Sequence, residues 1–444
     1  MKTLLTTRWS GVLLVLALPL LVGATILSGC GGQAAPPPSA APSSTTSGAG
    51  PLSTTAASDT STATAPMSTI STTATEAVTT TTAPPPGSFT VLQITTNNSS
   101  DDLPRISGDR VAWSGGGGSD GGLDWEVFTW TPDGGIVQLT TNDAYEENLE
   151  VSGDRVVWNA NVGEGKDAVS KIFTWTPEGG VVQLTEGGSR DFDPDVSGDR
   201  IAWCSRPPGG VVDIYTWTPS GGAVRLTDSK YDNMYLAVSG DRVVWTRNQG
   251  RTNAYQETYT WTPAGGAVRI TDNKTSDVFP TVSGDRISWC GLARWGTFGG
   301  GSWSGQAFTW SPENGVQKLS NEEGYFCAPR VSGDRVAWIT RSKAYTWSPS
   351  EGSVLLTKDP STCEEIDVSG DVVAWEGKAD SADKQSSTDI FVWTPSLGVI
   401  RITDSRTEDL MPRVSADRVV WAGRGGTDGG TDPEIFVAVL VTGD

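Results

Sequence analysis

The stretch Asp193-Pro194-Asp195-Val196-Ser197-Gly198-Asp199-Arg200-Ile201-Ala202-Trp203 decides the fold. Its core, Val-Ser-Gly-Asp-Arg-Val-x-Trp, recurs from residue 89 to the end of the chain. The aspartate of the repeat stands at Asp109, Asp154, Asp199, Asp241, Asp285, Asp334, Asp371 and Asp417. Successive spacings of 45, 45, 42, 44, 49, 37 and 46 residues are those of four-stranded propeller blades. Apolar residues flank a Gly-Asp pair, which reads as two strands joined by a tight hairpin, with glycine where φ must be positive.

Two further elements complete the unit. An aromatic strand ending in Trp-Thr/Ser-Pro appears at Trp130, Trp175, Trp217, Trp261, Trp310, Trp347 and Trp393. A Val/Ile-x-Leu/Ile-Thr run follows six of these, and Val316 to Ser320 is a looser copy after Trp310. Each unit therefore reads as strands A to D, with Pro-x-Gly-Gly turning C into D. Strands A, B and C occur eight times, the last C being Glu434 to Ala438. Strand D follows a C strand only seven times, and the eighth copy is Val91 to Thr95, ahead of the first A. The expected fold is all-β: one eight-bladed propeller over 89–444, closed by its N-terminal strand. In blade eight Ala416 replaces the turn glycine and is expected to carry strain.

The pattern Pro-x-Val-Ser-Gly-Asp-Arg-Val-x-Trp with a following Asp-Ile-Tyr and Leu-Thr resembles the propeller repeats of the TolB type. It is closer still to secreted and surface-layer propellers of prokaryotes built on Ile-Ser-Gly-Asp-x-Ile-Val-Trp. Asp193 to Trp203 with Asp213-Ile214-Tyr215 is the best copy, and the resemblance spans about 89–444. It implies the fold and leaves function open, since such propellers bind many things. TolB itself has six blades, an extra α/β domain and no stalk, so the resemblance does not imply a Tol-system role.

The N-terminus reads as an address. Lys2 and Arg8 precede an apolar run from Gly11 to Ile26, which ends in Leu27-Ser28-Gly29-Cys30. This resembles a bacterial lipobox, so 1–29 is expected to be a lipoprotein signal peptide and Cys30 the lipidated residue. Residues 30–88 are rich in Ser, Thr, Ala and Pro, with too little apolar material to cover the entropy of ordering. They are expected to be a disordered stalk with a coil reach on the order of 40 Å. The localisation expected is extracytoplasmic, on the membrane through the lipid anchor alone.

Composition excludes several functions. The 444-residue chain has no histidine, which removes His-dependent triads and the commonest zinc ligand. A net charge of −20 opposes nucleic acid and anionic lipid surfaces. No cofactor and no catalytic residue is assigned, and calcium is weighed only at Asp191, Asp193 and Asp195 and at the Asp428–Glu434 loop, whose spacing departs from known calcium loops.

Candidate binding residues follow from where the repeat breaks. The A–B and C–D turns are near-identical, so the B–C and D–A loops on the other face carry the variation. Trp295, Phe298 and Trp303 stand among glycines in the long loop from Cys290 to Gln306 and could stack on a sugar or anchor a protein, or fold back as a plug. Another long loop, Ser114 to Asp124, is mostly Gly and Ser. The residues before the strand A valine or isoleucine are Arg105, Glu150, Asp195, Ala237, Thr281, Arg330, Asp367 and Arg413. Arg105, Arg330 and Arg413 among these acids are candidates for a charged ligand at the channel mouth, or for charge pairing between blades. Cys327 and Cys363, in similar D–A loops, are the expected disulfide. The resulting expectation is a monomeric binding scaffold for an envelope protein or glycan. The alternatives are a carboxylate-dependent glycoside hydrolase or lyase, or a structural part of an envelope complex.

Overall fold

The computed structural model describes residues 88–440 except 117–124, 164–167, 251–254, 295–302, 321–326, 358–362, 379–386, 405 and 427–431. The signal peptide, Cys30 and the stalk therefore lie outside the described residues. Thirty-two strands form eight four-stranded antiparallel sheets, and among the described residues there is no helix. Seven sheets are made of consecutive strands. The eighth has the order β1-β32-β31-β30: β1 (Phe89–Gln93) pairs antiparallel with β32 (Glu434–Leu440). The ladder continues past β1, where the Ile94 amide donates to the Ile435 carbonyl and the Ile435 amide to Thr95 Oγ1. The innermost strands pack each on the next. β30 (Asp409–Ser415) meets β2 (Asp101–Ser107), which closes the ring. Eight blades and their N-terminal closure are thus as the repeat count requires.

The repeat residues explain how one blade holds its own sheet and grips the next. The strand B tryptophans, Trp113 through Trp421, are all buried. Each stacks on the aromatic residue of its own strand C, with centroids 5.4–5.9 Å apart and planes within 8–17°. In four blades the indole donates to a buried residue at the head of strand A: Trp113 to Asp101, Trp245 to Asn233, Trp289 to Asp277 and Trp421 to Asp409, at 2.8–3.1 Å. The Leu-Thr threonine satisfies a strand C amide, as Thr227 Oγ1 does for Ile214.

Ser-Gly-Asp-Arg turns out to be a clasp between blades. At all eight junctions the serine hydroxyl of one blade accepts the turn amide of the next, at 2.8–3.0 Å. Seven junctions add an ion pair from the arginine of one blade to the aspartate of the next. Arg110–Asp154, Arg155–Asp199, Arg200–Asp241, Arg286–Asp334 and Arg335–Asp371 lie at 2.6–2.8 Å, and Arg242–Asp285 and Arg418–Asp109 complete the set. The guanidinium often lies over the next blade's strand C tryptophan, as Arg110 does over Trp175 and Arg200 over Trp261. The aspartates are largely exposed, so each pair contributes at most about 1 kcal/mol, and the repetition is what matters. The junction of blades seven and eight lacks its pair because Val372 stands where the arginine would be. Ala416 sits at φ 52°, the left-handed strain expected of it.

Candidate functional site

The serine, aspartate, arginine, tryptophan and threonine of the repeat are thus committed to the scaffold. What remains is on the opposite face, at the head of the innermost strands. In six blades strand A carries a bulge at the same place, where two residues of strand A stand opposite one of strand B and the register shifts by one. The first bulged residue has positive φ, and none of the six is glycine: Leu103, Asn148, Asp193, Tyr235, Phe279 and Met411, at 50–57°. Each costs on the order of 1 kcal/mol that glycine would avoid. The chain does use glycine at its left-handed turns, for instance Gly198, where a side chain would meet nothing. The bulge positions therefore keep side chains for what those side chains do.

Several do packing. Met411 is buried, and its amide donates to Glu376 Oε2. Phe279 packs against Val278, Cys290 and Cys327. Asn148 donates to Asn159 Oδ1 at 2.9 Å. Asp193 and Tyr235 differ: both are half-buried, and neither the carboxylate nor the hydroxyl has a hydrogen bond among the described residues. Burial lifts the Asp193 carboxyl to about 6, with Arg190 opposing and Glu147 adding to the shift. Burial, then the charge of Asp193 and Cys204, raises the Tyr235 hydroxyl. The Tyr235 ring meets Phe279 at 4.5 Å between centroids, tilted by 51°. A cavity of about 530 Å³ opens between blades two and three, lined by Glu147, Ser170, Arg190, Arg206, Pro207 and Pro208 among others. Arg190 lies over the Phe192 ring at 5.2 Å, and Arg206 pairs with Asp232 at 3.3 Å.

The other residues singled out in the sequence have diverse places. Asp191, Asp193 and Asp195 do not converge. Asp191 is buried, paired with Lys171 Nζ at 3.1 Å and accepting from Ser205. Asp195 accepts the amides of Val196 and of Val238 in the next blade, and burial with Glu150 nearby lifts it to about 7. Among the described residues no three acids, cysteines or histidines gather as a metal would need. The bulge explains the divergence, since it takes two residues out of register between Phe192 and Asp195. The proposed charged ring is also mostly spent between blades: Arg105 pairs with Glu150 at 2.9 Å, Arg413 with Glu365 at 3.3 Å, and Asp367 accepts the Val414 amide. Arg330 is half-buried at the head of β22 (Arg330–Ser332), with no such pairing among the described residues.

Two expectations need correction. The disulfide joins Cys290 to Cys327, with Cα atoms 5.5 Å apart, and Cys363 is buried outside any disulfide. Cys290 ends the Trp-Cys pair of strand B in blade five, directly beneath the D–A loop that carries Cys327 toward blade six. Cys363 enters one blade further on, where it packs beside Gly377 and Ile366. The long loop of blade five is also shorter than its sequence implied, because β19 (Arg286–Arg294) and β20 (Trp303–Ser311) extend the hairpin on both sides. Trp295 and Phe298 lie outside the described residues, and Trp303 is the first residue of β20, paired with Arg294. The outer parts of the Ser114–Asp124 and Asp428–Glu434 loops likewise lie outside them.

No protein-family model and no curated protein matches this chain. Solved structures resemble it at low identity. The β-propeller domain of the Trilobed protease from Pyrococcus furiosus is 13% identical at TM-score 0.46, covering 67% of this chain and 94% of that one. Pyrococcus horikoshii acylaminoacyl peptidase is 12% identical at TM-score 0.44, covering 66% of this chain. This chain spans about half that peptidase's length, 50%. A putative TolB from Agrobacterium tumefaciens is 18% identical at TM-score 0.35, covering 52% of this chain and 87% of its own. These likenesses concern the propeller fold alone.

Proposed function

We propose that this chain is a lipid-anchored extracytoplasmic binding protein whose propeller presents its loop face to a protein or glycan of the envelope. The observation that carries the reading is the division of labour between the two faces. Apart from Asp417, whose arginine partner is replaced by Val372, the serines, aspartates, arginines and strand B tryptophans of the repeat are consumed in stacking or in the clasp. Side chains outside the repeat lie on the loop face, Asp193 and Tyr235 at the strand A bulges and Arg190 and Arg206 in the lining of a cavity. A rigid ring with one variable face is the usual build of a binding module. The leader ending in Leu27-Ser28-Gly29-Cys30 and the polar stalk support the anchoring.

The hydrolase or lyase alternative needs two acids facing one substrate. Among the described residues Asp195, Asp367 and Glu376 each accept a backbone amide of the next blade, and Glu147, whose charge acts on Asp193, accepts from Asn159, so these acids are engaged in holding the scaffold. Binding is therefore the better-supported reading.

The test is affinity capture from detergent-solubilised envelope with the full chain, beside an Arg190→Ala/Arg206→Ala variant and a Trp295→Ala/Trp303→Ala variant. A component retained by the parent and lost by either variant supports the reading and locates the contact. Retention of nothing by the parent counts against it. Mass spectrometry of the N-terminal peptide tests the anchor: an unmodified Cys30 in the membrane fraction would refute lipidation.

A further inference from the structure

The arginine of the clasp carries more donors than the clasp uses. In blades one to four its Nη1 donates to the strand C threonine of the same blade: Arg110 to Thr129, Arg155 to Thr174, Arg200 to Thr216 and Arg242 to Thr260, at 3.2–3.3 Å. Blade six adds a stronger acceptor in its C–D turn. There Glu351 Oε2 accepts both Arg335 Nη1 at 2.9 Å and the Ser348 hydroxyl at 3.1 Å. Blade five keeps the two donors without that acceptor. Its turn Ser311-Pro312-Glu313-Asn314-Gly315 aligns with Ser348-Pro349-Ser350-Glu351-Gly352, so Asn314 stands in the place of Glu351. Thr309 Oγ1 accepts from Ser288 at 3.1 Å instead of from the arginine. Arg286 still reaches Asp334 through Nε and Nη2, but its Nη1 is buried with no partner. The buried Ser311 hydroxyl accepts from Asn314 and donates to none of the described residues. Arg286 and Ser311 line one cavity of about 280 Å³ at the junction of blades five and six, together with Asp285, Glu313 and Asp334.

We propose that this cavity binds a carboxylate, which takes the place that Glu351 fills in blade six. A buried guanidinium nitrogen without an acceptor is costly, and an anionic acceptor offsets that cost better than a neutral one. Arg335 shows that this arginine position holds two carboxylates at once, Asp371 at 2.8 Å and Glu351 at 2.9 Å. Charge narrows the ligand further. Asp285 is paired with Arg242 and Asp334 with Arg286, whereas the exposed Glu313 has no ion pair among the described residues. The cavity therefore suits a single carboxyl group and disfavours a phosphate or sulfate dianion. The site lies on the turn face, opposite the loop face of the function proposed above, and does not depend on that reading.

Blade six also supplies the control. The amides of Asn314 and Glu351 both donate to their turn serine, so Asn314→Glu installs a residue that this turn already accepts. The experiment is ligand-observed saturation-transfer NMR of the full chain at pH 7.5. Its probes are acetate, the neutral isostere acetamide, and acetyl-triglycine as free acid and as amide. Acetate is expected to bind in the range of about 1–10 mM, and acetamide about tenfold more weakly. Asn314→Glu should abolish acetate binding and raise the melting temperature by about 1 °C, and Ser311→Ala should weaken acetate several-fold. A preference for the peptide acid over acetate points to the C-terminus of a polypeptide, and the reverse preference to a free small acid; either supports the site. Acetamide as tight as acetate, acid binding unchanged in Asn314→Glu or in Ser311→Ala, or no binding of either acid would overturn the proposal.

Discussion

Cys327→Ser should destabilise the propeller by an amount that follows from the chain length its disulfide closes. Cys290 and Cys327 are 37 residues apart in sequence. Closing a loop of that size removes about 13 cal/mol/K from the unfolded chain, or about 4 kcal/mol at 25 °C. The domain spans 88–440, and at about 2 cal/mol/K of unfolding entropy per residue that loss lowers its melting temperature by about 5 °C. Calorimetry of the oxidised full chain, the reduced chain and the two variants Cys327→Ser and Cys363→Ser checks this. Reduction and Cys327→Ser should give the same drop. Cys363→Ser should lack this entropic loss and should remain sensitive to reductant. The reasoning fails if Cys327→Ser melts within about 1 °C of the parent, or if non-reducing peptide mapping links Cys327 to Cys363.

Four other outcomes are expected. Deleting 88–95 exposes the edge of β32 and strips Phe89 and Ile94 from two core clusters, so the melting temperature should fall sharply; a drop under about 3 °C would contradict the closure. Val372→Arg should supply the missing clasp to Asp417 and raise stability by up to about 1 kcal/mol, and destabilisation would show that the packing of Val372 matters more. Ala416→Gly should relieve left-handed strain by about 1 kcal/mol in urea unfolding, against the usual cost of adding glycine. Glu376 is raised by burial from 4.5 to about 8, so the folded state holds its proton more tightly than the unfolded chain. Its contribution is therefore complete below about pH 4.5 and declines toward about pH 8, by at most about 1.4 kcal/mol per pH unit; Glu376→Gln should remove that part of the pH dependence of unfolding.

The periodic features were legible in the sequence. Trp203 and its seven counterparts recur in register, and Gly198 marks a turn by residue type alone. The early Val91–Thr95 run could be assigned to the last blade because one D strand was missing from the count. What the sequence concealed was of two kinds. Arg200 and Asp241 are 41 residues apart, and nothing local says that the arginine of one repeat serves the aspartate of the next. The bulge leaves no signature either: Leu103, Asn148, Asp193, Tyr235, Phe279 and Met411 share no chemistry, and only their common backbone geometry reveals them as equivalent. The run Asp191-Phe192-Asp193-Pro194-Asp195 groups three acids in sequence as a possible calcium set, whereas the extra residue of the bulge sends them to different neighbours. The disulfide was misassigned for a similar reason, since two loops that match in sequence position need not face each other across a ring.

The clasp has a direction. Each blade extends a serine and an arginine forward and offers a turn amide and an aspartate behind, so every blade is plug on one side and socket on the other. Such couplings are interchangeable: a duplicated blade would fit between any two neighbours that share the same ends. No single blade encodes how many there should be. The ring size is set instead where the chain splices its first strand onto its last blade, and the one junction with a different fitting, Val372 facing Asp417, lies one blade before that splice. A gene for this fold could lengthen by whole units almost anywhere else, while change at that end would have to be made by hand, residue by residue.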